Sequence, residues 1–92
     1  MKKFIDVFGE RYKIKLGGLD KGYLGMCDTD EKIIYLMEDQ NDKYSTFIHE
    51  LIHAIFYEVG LNQSISGSLE QIVCETISKQ IAKTLECPKW LS

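Results

Sequence analysis

One segment governs what this chain can fold into. Between residues 43 and 59 the apolar side chains Phe47, Ile48, Leu51, Ile52, Ala54, Ile55, Phe56 and Val59 surround most of a helix circumference. A helix that is apolar nearly all round must be covered on most of its sides, so the rest of the chain has to be built around it. Asp42 or Ser45 can cap its start, and Gly60 is a natural stop. The sequence of 92 residues is the length of one domain, 1–92. A chain this short buries only about two-thirds of the surface its unfolded form exposes, so the core around that helix is small.

The same segment holds the only two histidines of the chain, in the run His49-Glu50-Leu51-Ile52-His53. Residues four apart on a helix lie one turn above each other on one face. Two imidazoles placed this way can converge on one tetrahedral zinc ion. Glu50 projects about 100° away, badly placed as a ligand and well placed to reach a water beside the metal. That is the division of labour in His-Glu-x-x-His sites, where the glutamate is the general base. Two histidines scattered at random in 92 positions fall four apart roughly 2% of the time, and roughly 0.2% with Glu after the first, so coincidence explains the pattern poorly. An unpartnered imidazole pair in so apolar a segment would also leave polar nitrogens unsatisfied.

The flanks complete an α+β pattern. Phe4–Phe8, the alternating run Arg11–Leu16, Gly22–Cys27 and the apolar run Lys32–Met37 read as short extended segments. They predict a small antiparallel or mixed sheet of about three strands, the last two forming a hairpin around the turn Asp28–Glu31. A second helix starts near Ser66 or Ser68, with Ser68 and Gln71 a candidate capping box, and runs to about Leu85. Val73, Ile77, Ile81 and Leu85 form its apolar stripe, with Cys74 beside it. Trp90 is expected to fold back onto the core.

Zinc needs a third protein ligand and keeps its fourth position for water. With no further histidine, the second helix offers Glu70, Cys74 and Glu75. Glu70 lies on the line of Val73, Ile77 and Ile81, where a carboxylate is costly unless it meets a cation, so it is the first choice. Glu75 and Cys74 are the alternatives. A first-turn carboxylate also complements the helix dipole without any ion. Tyr57 shares the face of the two histidines, where ordinary packing is its commoner role.

Composition narrows the remaining classes. The net charge is −3, with 11 basic and 14 acidic residues and no basic cluster, so nucleic acid is a poor partner. Three cysteines, Cys27, Cys74 and Cys87, make no disulfide framework and fit a reducing cytoplasm. No apolar run approaches the roughly 20 residues that span a bilayer, and acidic residues follow Met1-Lys2-Lys3 too closely for a signal peptide. Neither a nucleic acid nor a membrane is therefore an expected partner.

From Thr46 through His49-Glu50-Leu51-Ile52-His53, a glycine, a polar loop and Leu69-Glu70-Gln71-Ile72-Val73, the chain resembles small zincin-like metallopeptidases of the gluzincin type. It is similar to the minigluzincins and the ImmA/IrrE-like proteins of bacteria, phages and mobile elements, over residues 46 to about 85. The resemblance implies a zinc metallopeptidase that acts on a peptide or protein substrate. His49 and His53 would bind Zn2+, Glu50 would be the base, and Glu70 (or Glu75) on a following glutamate helix would complete the site. Substrate would lie extended along a sheet edge, with Lys32–Met37 one candidate. The alternative is a zinc-binding structural or regulatory domain without turnover.

Overall fold

A computed structural model describes residues 2–91. The chain forms β1 (Phe4–Val7), β2 (Glu10–Leu16), β3 (Gly25–Asp28) and β4 (Ile33–Leu36), then α1 (Lys43–Glu58), a single 3-10 turn (Leu61–Gln63) and α2 (Gly67–Thr84). This is an α+β fold in which a four-stranded sheet packs with two helices.

The sheet order is β1-β2-β4-β3, with β2 and β4 parallel and the outer pairs antiparallel. β2 reads as its alternation predicts, with Tyr12 and Ile14 buried and Arg11, Lys13 and Lys15 outside. The hairpin of β3 and β4 also forms, pairing Cys27 with Ile34, and the Asp28 carboxylate accepts from the backbone N–H groups of Asp30 and Glu31. The expectation that Lys32–Met37 is an edge is overturned. β4 pairs on both sides, and its Ile34 and Leu36 are fully buried. A run that is apolar on both faces belongs inside a sheet, and Ile33-Ile34-Tyr35-Leu36 is such a run. The edge strand nearest the histidine helix is β3.

The core joins Val7, Tyr12, Ile14, Ile34 and Leu36 of the sheet to Phe47 and Ala54 of α1 and to Leu91 of the tail. Trp90 folds back as expected, its ring meeting Phe47 edge-on at 5.2 Å. Asp42 caps α1 by accepting from the Ser45 N–H, and Gly60, in the left-handed region, follows its end. Ser66 caps α2, its hydroxyl accepting from the Leu69 N–H at 3.1 Å, so the Ser68–Gln71 box is not used and Gln71 is free for another role.

α2 is rotated from the expected stripe. Its buried residues are Cys74 and Ser78, while Ile72 and Ile77 are exposed. Small residues at the contact let two helices approach closely, and a stripe of isoleucines would hold them apart. Glu70, Cys74 and Ser78 fall at spacings of four, so the rotation leaves Glu70 in line with the buried face.

Gly25 sets how closely β3 approaches α1. A Cβ placed on it would lie 2.6 Å from Thr46 Cγ2 and 3.2 Å from Glu50 Cγ. Gln40 fixes the same junction. Its amide donates to the carbonyls of Leu24 and Met37, and its oxygen accepts from the Thr46 hydroxyl. The edge strand is thereby held against the turn of α1 that carries Glu50.

Candidate metal centre

The helical spacing brings the two imidazoles together. Their ring centroids lie 5.0 Å apart, and His49 Nε2 faces His53 Nε2 at 3.2 Å. Two nitrogens on one tetrahedral zinc, each about 2.0–2.1 Å from it, are about 3.3 Å apart. The pair therefore has the separation of two ligands of one ion.

Both carboxylates considered from sequence reach the pair, and both reach it from the same side of the ring. Glu70 Oε2 lies 2.5 Å from His53 Nδ1, and Glu75 Oε1 lies 3.1 Å from His49 Nδ1. Ionised carboxylates only accept, so each Nδ1 is the protonated nitrogen. The Nε2 atoms, on the far side of each ring from its carboxylate, face each other. Burial, and then His53 beside it, push the His49 imidazole below its ordinary pKa, which keeps that ring neutral at pH 7. Two imidazole nitrogens converging at this distance are what one cation can bridge, so the residues present fit a divalent metal. Gln71 Oε1 lies 3.0 Å from His53 Nε2, on the metal-facing side.

Cys74 is close as well. His53, Glu70 and Cys74 each bring one ligand atom within 4.8 Å of the others. Burial, and then Glu70, push the Cys74 thiol up to about 12, so without a metal it stays protonated at neutral pH. Cys27, across on β3, is likewise pushed up to about 12 by burial and then by Glu50.

Glu50 stands on the neighbouring face of α1. Burial pushes its carboxyl up to about 6, partly offset by His53. It lines a cleft of about 530 Å³ together with His49, His53 and Glu70, with Gly25 and Cys27 of β3 on the opposite wall. Tyr57 also lines it, 40% exposed, with the Lys32 ammonium 5.8 Å from its ring centre. The cleft thus joins an imidazole pair, a carboxylate of raised pKa and the free edge of a strand.

Sequence reasoning placed His49, Glu50, His53, Glu70 and Glu75 in this region, and all five meet here. It missed two residues. Gln71 was read as a capping residue, although its place next to Glu70 puts it on the same helix flank. Gly25 had no signal beyond being a glycine in an extended run. No helix among the described residues is long and apolar enough to cross a membrane. No family model, curated protein or solved structure matches the chain.

Proposed function

We propose that this chain is a zinc-dependent metallopeptidase. The observation that carries this reading is the pair of Nε2 atoms 3.2 Å apart, each ring backed at Nδ1 by a carboxylate. His49 and His53 would hold the ion through Nε2, and α2, which carries Glu70, Gln71 and Glu75, would bring the side chain that completes the set. Bound there, zinc supplies an acidified water and polarisation of a carbonyl.

The chain's own residues supply the rest. Glu50 accepts a proton from water in the cleft and returns it to the leaving amine. Its place about 100° round α1 from His49 keeps it beside the histidines without making it a ligand. Among the described residues β3 pairs only with β4, so its other edge offers backbone donors and acceptors to an extended peptide. Gly25 keeps that edge close to Glu50. A purely structural zinc site has no use for a base beside its ligands, and Glu50 therefore favours the enzyme over the structural domain.

The test combines metal content with turnover of a quenched-fluorescent peptide library. Purified without chelator, the protein should carry close to one equivalent of zinc. Glu50→Gln should keep that zinc and lose cleavage. Cleavage retained in Glu50→Gln would refute the role of Glu50, and less than a tenth of an equivalent in the wild type would refute the metal.

A further inference from the structure

α2 meets the two imidazoles with three polar side chains, Glu70, Gln71 and Glu75, and they do not meet the same nitrogens. Glu70 is on His53 Nδ1 and Glu75 is on His49 Nδ1. Only Gln71 is on the Nε2 side, with its amide oxygen 3.0 Å from His53 Nε2. The separation follows from the helix. Glu70 and Glu75 are five apart, which spans the one-turn stagger of His49 and His53 on the facing helix, and Gln71 lies about 100° round from Glu70. Lys79, one turn beyond Glu75, pairs with its second oxygen at 3.1 Å and leaves the first for His49.

Resting on the reading of His49 and His53 as metal ligands, we propose that the two carboxylates of α2 are positioning residues and that Gln71 is the α2 side chain facing the metal. Glu70 fixes His53, and Glu75 fixes His49, as Nδ1–H tautomers with Nε2 free to bind. Hydrogen-bonded carboxylates behind ligating histidines set ring orientation and raise ligand basicity. The direct donor from α2 is then a neutral amide oxygen, and the carboxylates act on the ion through the rings. The two carboxylate charges then lie behind the imidazole rings and not on the ion.

Two measurements test this. The first uses metal-free protein. Long-range nitrogen–proton NMR of the two imidazoles should show both as Nδ1–H tautomers. Glu75→Ala should shift His49 toward the other tautomer and spare His53, and Glu70→Ala should do the reverse. Glu75→Gln, whose amide oxygen still accepts from Nδ1–H, should restore the His49 tautomer. Tautomers unchanged in both alanine variants would overturn the positioning roles. The second measurement uses the cobalt(II) protein and zinc titration against a chromogenic chelator. Glu70→Ala and Glu75→Ala should weaken zinc about 10–100-fold while keeping the wild-type cobalt absorption bands. Gln71→Ala should change those bands. Bands altered by Glu70→Ala or Glu75→Ala and untouched by Gln71→Ala would make a carboxylate the direct donor and overturn the proposal. A wild type that binds neither metal would refute the peptidase reading and the role of Gln71 together, and the NMR arm would still decide on Glu70 and Glu75.

Discussion

Replacing Glu50 by Gln should stabilise the metal-free protein at neutral pH. Burial raises the Glu50 carboxyl from 4.5 to about 6. The folded state therefore binds this proton more tightly than the unfolded chain does. For a carboxyl raised in this way the ionised form is the costly one. The cost is absent below pH 4.5, grows as pH rises toward 6, and is complete by about pH 7. A shift of this size corresponds to about 2 kcal/mol, at 1.36 kcal/mol for each pH unit. A neutral amide of the same shape escapes that cost. The expected gain is thus up to about 2 kcal/mol at pH 7, which in a domain of this size raises Tm by up to about 8–16 °C. At pH 4 wild type and variant should melt together. The assay is thermal or urea unfolding of both proteins in chelator, from pH 4 to pH 8. A variant no more stable than wild type at pH 7, or a gain that persists undiminished at pH 4, would refute the reasoning. The physical content is that the base sits in a cleft that does not favour its charge, a cost that function explains and folding does not.

Other predictions concern the frame of the site. Gly25→Ala forces a methyl to within 2.6 Å of Thr46, and should cost about 1–3 kcal/mol and lower cleavage by moving β3 off the Glu50 turn; unchanged stability and activity would refute the close approach. Tyr12→Phe removes the 2.6 Å hydroxyl bond to Glu58 at the end of α1 and should cost about 1 kcal/mol by urea unfolding, with zinc content unchanged. Of the three thiols, exposed Cys87 should react fastest with a disulfide reagent at pH 8, while half-buried Cys27 and buried Cys74, both pushed up to about 12, should react far more slowly until the protein unfolds; labelling of either as fast as Cys87 would contradict their raised pKa.

Much of this was legible because the constraints were local. The His49–His53 spacing, the Asp42 cap, the Asp28 turn and the Tyr12–Ile14 alternation each depend on a few neighbouring residues, and each forms as read. What failed depended on distant partners. Nothing in residues 32 to 37 says that β2 runs parallel along one side of β4, because strand order is decided by where the rest of the chain goes. The α2 stripe was misread for a related reason. Apolarity picks out Val73 and Ile77, but close packing on α1 selects the small side chains Cys74 and Ser78. Within the site, helical spacing predicts that Glu70 and Glu75 reach the histidines. Which ring nitrogen each meets depends on rotamers and on the helix crossing, and those are tertiary.

The central claim is that one ion lies between His49 Nε2 and His53 Nε2. Anomalous scattering measured above and below the zinc absorption edge, on crystals of protein purified without chelator, tests it most directly. The account predicts a single strong peak about 2.0–2.1 Å from both Nε2 atoms, with Glu50 outside bonding distance. No peak between the rings at full zinc loading, or a peak bound at Nδ1 of either ring, would contradict it.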